Sequence, residues 1–242
     1  LTLDPGVTLK FDAEKTFQNK GEFIASGTET SPIVFTSNSN SPSAGDWNYI
    51  QFMNETLDAE FDNDTNYVSG SIMEYCIVEY SKGLEIKKSG PYINNSTFRH
   101  NSDHGLKLYN DDWSNATDLV LIENSNFHNN TLGFRGYGTN VAKAIFRHNV
   151  VKDNSPLGGV KADYGITVSD CEIINNSFSG DDSYYSASGL SSDRSDIKNN
   201  KIIDNTSSGV SPVYLSSGKF LNNIVSGNSV NQLPSVIAEY FD

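Results

Sequence analysis

Hydrophobic residues in this chain occur in short runs that alternate with polar residues, and no run has the length or spacing of a helix. Val7, Leu9 and Phe11 alternate with polar neighbours, and so do Ile50 and Phe52. A period of two places successive side chains on opposite faces of an extended strand. Asn, Ser, Gly and Asp fill the spaces between the runs, as they do in turns. The pattern therefore predicts many short strands joined by tight turns.

A repeat of 21 to 29 residues runs through the chain from about residue 72 onward. Seven segments superimpose on one apolar residue, and these anchors are Ile77, Phe98, Phe127, Val151, Ile173, Ile202 and Val225. Asn stands three positions after the anchor in six of the seven segments, and Tyr80 is the exception. In most repeats a Gly then introduces a second short apolar strand, as in Gly105-Leu106-Lys107-Leu108. Repeats of this length indicate a solenoid, in which each unit buries its apolar face against its neighbours.

The repeat predicts an all-β fold, a single-stranded right-handed parallel β-helix (β-solenoid) of about 9–10 coils. We interpret residues 1–242 as one domain, with less regular N-terminal coils at 1–70, regular Asn-ladder coils at 71–228 and a C-terminal cap at 229–242. An Asn at a bend tolerates left-handed backbone angles, and stacked Asn side chains can hydrogen-bond along the axis. The chain lacks the Leu-x-x-Leu-x-Leu consensus of leucine-rich repeats, and a β-sandwich would show no fixed coil length.

Charge and composition exclude several classes of partner. The net charge is −13 and the pI about 4.6, so the averaged electrostatic field repels nucleic acids. No apolar run approaches the roughly 20 residues of a transmembrane helix, and we expect no membrane insertion. The chain begins at Leu1 without a signal peptide, which suggests a soluble product of processing or truncation. Cys76 and Cys171 belong to coils about 19 Å apart, which is too far for a disulfide, so two unpaired thiols are expected.

The second strand of each repeat predicts a column of outward-facing side chains. If the flanking apolar residues point inward, the column reads Glu85, Lys107, Arg135, Lys161, Ser191 and Ser211. Two positions further along, Tyr109 and Tyr137 follow Lys107 and Arg135. Basic groups meet carboxylates and Tyr rings stack on sugar faces, so the candidate site for an anionic polysaccharide is Lys107, Arg135, Lys161, Tyr109 and Tyr137. The alternative is that outward strand positions favour Tyr and long solvated side chains in any sheet.

Asp103, His104 and Asp163 are candidates for catalysis because they lie beside this basic strip in the sequence. A lyase or epimerase needs a general base near an anion-binding set. Solvated polar residues are equally ordinary in the turns between strands. Whether the protein is an enzyme therefore stays open.

Acidic residues alternate along one segment and are the candidate metal ligands: Asp58, Glu60, Asp62 and Asp64. Ca²⁺ takes several oxygen ligands, which this alternation offers, although the segment lacks the Gly and terminal Glu of an EF-hand loop. A solvated acidic loop is the simpler interpretation. The sequence requires no cofactor, and calcium is the one cofactor that it suggests.

Several N-terminal motifs resemble those of a known family. The segments Pro5-Gly6-Val7-Thr8-Leu9-Lys10-Phe11 and Gly45-Asp46-Trp47-Asn48-Tyr49-Ile50-Gln51-Phe52 are similar to the opening coils of secreted bacterial right-handed parallel β-helix proteins of the pectin-lyase-like superfamily. The resemblance covers nearly the whole chain and implies export, a cell-surface or extracellular setting and contact with polysaccharide. The chain lacks the Arg-x-Pro-x-x-Arg type segment of pectate lyases and the catalytic residues of polygalacturonases, so the resemblance implies no particular reaction.

The sequence therefore predicts an extracellular or cell-surface β-helix module that binds carbohydrate or serves as a scaffold. A polysaccharide lyase, hydrolase or epimerase acting on an acidic glycan is one alternative. An adhesin segment that binds a protein partner is another. The expected partner is a polysaccharide rather than a nucleic acid or a membrane, and the oligomeric state stays open.

Overall fold

A computed structural model of the chain describes residues 1–109, 119–137, 143–179, 187–230, 234 and 236–238. Within these residues every regular element is a strand, and three long sheets, which we name A, B and C, contain nine stacked parallel strands each. One strand from each sheet makes a rung. The nine rungs stack on one another and form a β-solenoid of about eight turns from the first rung to the last. The predicted all-β parallel solenoid is confirmed. The described residues include no helix that could cross a membrane.

Each rung passes through sheets A, B and C in that order. Sheet A contains β1 (Thr2–Leu3), β4 (Ile24–Ser26), β9 (Ile72–Glu74), β12 (Tyr92–Asn94), β15 (Leu119–Glu123), β18 (Lys143–Arg147), β21 (Ile166–Ser169), β25 (Ser195–Lys198) and β29 (Gly218–Leu221). Sheet B contains β2 (Thr8–Phe11), β5 (Ile33–Ser37), β10 (Cys76–Glu79), β13 (Thr97–Arg99), β16 (Asn126–His128), β19 (Val150–Lys152), β22 (Glu172–Ile174), β26 (Lys201–Ile203) and β30 (Ile224–Ser226).

Sheet C carries the outward column predicted from the sequence. Its strands are β3 (Phe17–Asn19), β6 (Tyr49–Phe52), β11 (Gly83–Lys87), β14 (His104–Tyr109), β17 (Leu132–Tyr137), β20 (Gly158–Asp163), β24 (Leu190–Asp193), β28 (Val213–Leu215) and β32 (Val236–Ala238). Two small sheets complete the described structure. One contains β23 (Ser177–Phe178), β27 (Thr206–Ser207) and β31 (Ser229–Val230), and the other is the antiparallel hairpin of β7 (Glu60–Phe61) and β8 (Tyr67–Ser69).

A ladder of mostly buried polar side chains marks the bend after sheet B. Its members are Ser81, Asn101, Asn130, Asn154, Asn176, Asn205 and Asn228. Asn130 Nδ2 donates to Asn154 Oδ1 at 3.1 Å, and Asn154 Nδ2 donates to Asn176 Oδ1 at 2.9 Å. Asn154 Nδ2 also donates to Phe127 O at 3.0 Å. The ladder thus satisfies backbone groups that the bend would otherwise bury without partners, and the predicted Asn column is confirmed.

The first member of this ladder corrects the repeat alignment. Val78, and not Ile77, pairs with Phe98, so Ser81 takes the ladder position that the sequence assigned to Tyr80. Tyr80 instead adopts a left-handed backbone angle with φ of 59°. The residue before every other ladder member has the same kind of angle. The chain from Val78 to Phe98 is shorter than the other repeats. The sequence alignment therefore placed the first anchor one residue too early, at Ile77.

A second ladder, at the bend between sheets A and B, was not predicted. Its members lie five residues before those of the first ladder: Cys76, Ser96, Ser125, Asn149, Cys171, Asn200 and Asn223. Cys171 N, for example, donates to Asn200 Oδ1 at 3.0 Å. Both cysteines are buried and free, which confirms the two unpaired thiols. Burial raises the pKa of each thiol to about 12, so neither has the character of a nucleophile.

Glycines at the start of the sheet C strands let neighbouring rungs approach closely. At Gly133 a Cβ atom would lie 2.6 Å from Gly159 O and 2.9 Å from Asn154 Nδ2. Gly105 occupies the equivalent place one rung earlier, next to Gly133 O. A side chain here would push apart both the sheet and the first ladder. This close approach explains the Gly that precedes the second strand of most repeats.

Aromatic and aliphatic side chains fill the interior of the coil. Phe98 and Phe127 stack in neighbouring rungs with ring centroids 4.9 Å apart. In the N-terminal rungs, Trp47 stacks on Phe11 at 4.2 Å and donates from Nε1 to Glu79 O at 3.0 Å. One continuous core cluster includes residues from the second rung to the eighth.

The hairpin of β7 and β8 packs on the outer face of sheet A. That face carries a column of apolar side chains from successive rungs: Ile24, Ile72, Tyr92, Leu121 and Ile145. Phe61 meets the Tyr92 ring edge-on at 5.4 Å, and Tyr67 stacks on it at 5.7 Å. These residues form a second apolar cluster outside the coil. The hairpin therefore covers an apolar stripe that would otherwise face water.

The described part of the C-terminal segment continues the coil. Strand β31 pairs with β27, and β32 pairs with β28, both in parallel. The predicted cap at 229–242 thus includes strands of the last rung. Its residues 231–233, 235 and 239–242 lie outside the described residues.

Candidate functional site

The outward face of sheet C carries the basic strip predicted from the sequence. Lys107 pairs with Arg135, and Arg135 pairs with Lys161, in parallel register. The predicted stacking is confirmed from Glu85 to Ser191. It is wrong in the next rung, where Tyr214 rather than Ser211 pairs with Ser191. Strand β28 begins at Val213, so Gly209, the Gly that was expected to open this strand, lies too early in the chain.

At the N-terminal end of this column, the Glu85 carboxylate is bound by neighbouring side chains. Gln51 Nε2 donates to Glu85 Oε2 at 2.7 Å, and Lys87 Nζ forms an ion pair with the same oxygen at 2.8 Å. Arg135 and Lys161, by contrast, form no ion pair with any residue that the structure describes. Positive charge without a direct partner therefore lies further along the axis, on the fifth and sixth rungs.

A groove of about 580 Å³ runs along the helix axis at the C-terminal edge of sheet C. It is lined by Arg135, Tyr137, Lys161, Asp163, Tyr164, Asp193, Arg194, Ser216 and Ser217. These residues come from four successive rungs, so the groove is about 14 Å long at the usual strand spacing. Three cations, two carboxylates and two Tyr rings line it. The groove has the length of a short oligomer rather than of a single small ion.

An aromatic and cationic row forms one side of the groove. The rings of Tyr137 and Tyr164 lie 5.8 Å apart, and the Arg194 guanidinium carbon lies 4.9 Å from the centre of the Tyr164 ring. Tyr164 and Arg194 each follow a sheet C strand directly and have left-handed φ angles of 60° and 50°. Tyr164 N donates to Asp193 O at 2.7 Å, which holds the two bends together. The corner after the strand thereby places both side chains beside the strand's own outward residues.

Asp163 is the most unusual residue of the groove. It is only 6% exposed, and its carboxyl group makes no hydrogen bond or ion pair with another described residue. Burial raises the pKa of its carboxyl to about 6; Lys161 and Arg135 oppose this rise, and Asp193 adds to it. A buried carboxylate without hydrogen bonds is costly to the fold. Such a residue in a cleft is typical of functional sites.

Asp193 is the register partner of Asp163 on the next strand, but its surroundings differ. It is partly exposed, and Ser217 Oγ donates to Asp193 Oδ1 at 3.0 Å. Ser217 Oγ in turn accepts a hydrogen bond from Arg194 N at 3.2 Å. Two neighbouring carboxyl groups therefore differ in exposure and in hydrogen bonding.

A small cavity of about 60 Å³ adjoins the groove at Arg135 and Lys161. Its other lining residues are mostly apolar: Leu132, Leu157, Val160, Phe178, Ala187 and Ser191. Arg135 Nε is buried and has no hydrogen-bond partner among the described residues. The cavity is several times larger than one water molecule requires. A donor of Arg135 is thus left for a ligand oxygen or for water.

The structure separates Asp103 and His104 from this groove. His104 is 1% exposed, its ring stacks on Tyr49 at 5.8 Å, and its Nδ1 lies 3.1 Å from Asp103 Oδ2. The hydrogen bond from His104 lowers the pKa of Asp103. Both residues come before the outward column on β14. Measured along the strand direction, they lie about 16 Å from the position of Asp163. Of the three predicted catalytic candidates, only Asp163 lines the groove, because Asp103 and His104 belong to the opposite edge of sheet C.

The predicted binding residues divide between the groove and its surroundings. Arg135, Lys161 and Tyr137 line the groove, and Tyr137 is 37% exposed there. Lys107 lies one rung before them. Strand β14 ends at Tyr109, whose side chain lies outside the described part of the structure.

Tyr164 and Arg194 were not among the site residues predicted from the sequence. The predicted columns end with the strands, whereas these two residues follow the strands directly. The alternation of strand residues gives no sign of the left-handed corner. This corner brings the side chain of the first residue after the strand to the same face as the strand's outward residues.

The segment of candidate calcium ligands forms an amphipathic hairpin. Asp58, Glu60, Asp62 and Asp64 alternate with residues that include Ala59 and Phe61, which pack against sheet A. Asp62 Oδ1 accepts the backbone N–H groups of Asp64 and Asn66 at 2.9 Å, and Glu60 Oε2 accepts a hydrogen bond from Ser69 Oγ. No group of three or more His, Cys, Asp or Glu residues suited to a metal ion occurs within the described residues. The alternation therefore reflects a strand with one apolar face.

Comparisons with known proteins address the fold. One similar solved structure is the crystal structure of GH136 lacto-N-biosidase from Eubacterium ramulus (selenomethionine derivative), with 12% identity and a TM-score of 0.29. The alignment covers 96% of this chain and 63% of that chain. Values this low do not support transfer of that protein's activity. The search of curated proteins gave no significant match. A family model described as "Right handed beta helix region" matches residues 82–233, more than half of the chain, and the protein therefore belongs to this family of right-handed β-helices.

Proposed function

We propose that this β-helix binds an acidic polysaccharide in the groove over sheet C, as an extracellular or cell-surface module. The observation that carries the proposal is the combination of Arg135, Lys161 and Arg194 with the rings of Tyr137 and Tyr164 in one groove. The whole chain has a net charge of −13. Within the groove, three cations face two carboxylates, and this local excess of positive charge favours an anionic ligand.

The chemistry of the lining fits sugar acids. Arg135 and Arg194 can each donate two parallel hydrogen bonds to a carboxylate, which is the strongest common form of such recognition. Arg135 Nε has no partner in the described structure, so a ligand would satisfy a donor that is already buried. The Tyr rings offer flat apolar faces with a polar edge, which suits the mixed surface of a sugar ring. The groove follows the helix axis, as a linear glycan bound across several rungs would.

A charge-matched pair of variants tests this proposal. The double variant Arg135→Ala and Lys161→Ala removes two cations from the groove. The control, Lys152→Ala and Lys198→Ala, removes two exposed cations from the outward positions of sheets B and A. Binding to defined oligouronates is measured by calorimetry, with circular dichroism to confirm that each variant is folded. We expect the groove variant to bind at least about tenfold more weakly, since a charged hydrogen bond contributes about 1.5–3 kcal/mol.

The control should bind as the unmodified protein does, and binding should weaken with added salt. Equal affinities for the two double variants would contradict the proposal. So would the absence of binding to any acidic glycan in the panel, and a scaffold or protein-binding role would then gain support.

A further inference from the structure

Two carboxyl groups stand side by side in the groove. Asp163 at the end of β20 and Asp193 at the end of β24 are direct register partners, and both line the groove. The Cα atoms of paired residues on neighbouring parallel strands lie about 4.8 Å apart, and side chains that leave both strands in the same direction keep their carboxyl groups at about that spacing. This spacing is close to that of the two carboxyl groups in glycosidases that retain the anomeric configuration.

The two groups also differ in the way that acid–base chemistry requires. Asp163 is buried without hydrogen bonds among the described residues, which favours its protonated form. Asp193 is partly exposed and accepts a hydrogen bond from the Ser217 hydroxyl. One carboxyl group held protonated by burial beside a second, solvent-accessible one is the arrangement that supplies an acid and a nucleophile in one site.

We infer that the groove hydrolyses a glycosidic bond of the acidic glycan that it binds, with Asp163 as the general acid and Asp193 as the nucleophile. This inference rests on the proposed function, since it requires a glycan in the groove. The cations and rings around the pair then position the sugar units on either side of the bond. The structure provides these from neighbouring elements: Arg135 and Tyr137 on β17, Lys161 on β20, and Tyr164 and Arg194 at the corners.

The reaction has two balanced steps. In the first, Asp163 gives its proton to the glycosidic oxygen as the bond to the anomeric carbon breaks, and the Asp193 carboxylate attacks that carbon. The leaving sugar departs as an alcohol, and the other sugar is held as an ester of Asp193. In the second step, the Asp163 carboxylate takes a proton from water, and the resulting nucleophile displaces Asp193. Two inversions give net retention, and the sum of the steps is hydrolysis.

The spacing of the pair argues for this mechanism over direct attack by water. An inverting enzyme needs carboxyl groups about 6.5–9.5 Å apart to admit a water molecule between the base and the sugar. Register partners on adjacent strands are closer than that. The product formed first should therefore keep the configuration of the bond that was cleaved.

Release of new reducing ends from oligouronates that bind to the groove is the primary assay. Asp163→Asn and Asp193→Asn keep the size of each side chain and should each lower the rate about 100-fold or more, the usual range for loss of such a group. Asp170→Asn is the matched control, because Asp170 is an exposed carboxylate at the bend between sheets A and B. Its rate should not change. Proton NMR of the first product should show retention.

The dependence on pH gives a second readout. Asp163 must be protonated to act, and its pKa is raised by burial to about 6. The rate should therefore fall as the pH rises through about 6. An oligouronate that binds through Arg135 and Lys161 but releases no reducing ends would overturn the inference and leave the binding proposal standing.

Other outcomes assign the failure to a specific part of the inference. Unsaturated products without water uptake would show elimination instead of hydrolysis. Inversion of configuration would remove Asp193 as the nucleophile. Failure to bind any acidic glycan would overturn the proposed function and, with it, this reaction.

Discussion

Replacing Asp163 by Asn tests whether the groove holds a carboxylate that destabilises the fold. Burial is the main cause that raises the pKa of this carboxyl from 3.8 to about 6. Between these pH values the folded state keeps a proton that the unfolded state has released. The free energy of unfolding therefore decreases as the pH rises from about 4 to about 6, and the loss is complete above that range.

The size of the effect follows from the shift in pKa. About two units at 1.36 kcal/mol each give about 3 kcal/mol. Asn has nearly the same shape and no charge, so Asp163→Asn should raise the free energy of unfolding by up to about 3 kcal/mol at pH 8. At pH 4 the change should be small. For a chain of this length, 1 kcal/mol corresponds to about 2–4 °C, so the Tm at pH 8 should rise by about 6–12 °C.

Thermal unfolding followed by circular dichroism at pH 4 and pH 8 measures this difference. Asp170→Asn is again the control, since Asp170 is exposed and accepts a hydrogen bond from Asn199 Nδ2 at 3.2 Å. Its Tm should change little at either pH. If Asp163→Asn gave no gain at pH 8, or an equal gain at pH 4, burial of a charged carboxylate would not be the cause, and the reasoning would be refuted.

Three further predictions concern the fold. Asn154→Ala leaves a buried backbone N–H and a buried C=O without partners, so urea unfolding should show a loss of about 3–5 kcal/mol, whereas the exposed control Asn126→Ala should change stability by less than about 0.5 kcal/mol. Gly133→Ala would place a Cβ atom 2.6 Å from a carbonyl oxygen of the next rung, and a loss of at least about 2 kcal/mol is expected in the same assay. Phe61→Ala removes the edge-on contact with Tyr92, so limited proteolysis should cut the hairpin at 58–70 faster while the Tm falls only slightly.

The coil was predictable because its physical requirements repeat in the sequence. Apolar anchors such as Phe127 and ladder residues such as Asn130 recur once per turn, and both are needed in every turn to fill the core and satisfy the bend. The alignment failed at Tyr80 because the coil there is shorter and Ser81 replaces Asn. The second ladder was not predicted because Ser, Asn and Cys all occur at its positions. Hydrogen-bonding position, rather than residue type, defines that column.

The site was predictable only as far as the strands extend. Stacking of Lys107, Arg135 and Lys161 follows from the two-residue period alone. The groove, however, depends on left-handed corners that add Tyr164 and Arg194, and strand periodicity says nothing about corners. In the hairpin, the two-residue period of carboxylates was compatible with a solvated segment or with calcium ligands, and the structure shows that it marks the solvent-facing side of a strand.

The uneven corners of the coil divide its surface into constant and variable parts. From the fourth rung onward, each link from sheet A to sheet B is two residues long, one left-handed and one in the second ladder, as in Asn95-Ser96 and Asn199-Asn200. In this part of the coil the chain lengthens at corners that border sheet C, where segment 175–189, for example, separates β22 from β24. Relatives of this protein can therefore change the rims of the sheet C face by insertion or deletion while both ladders stay intact. Diversity of ligands should appear on this one side of the molecule, and the face of sheet B should stay nearly constant in backbone.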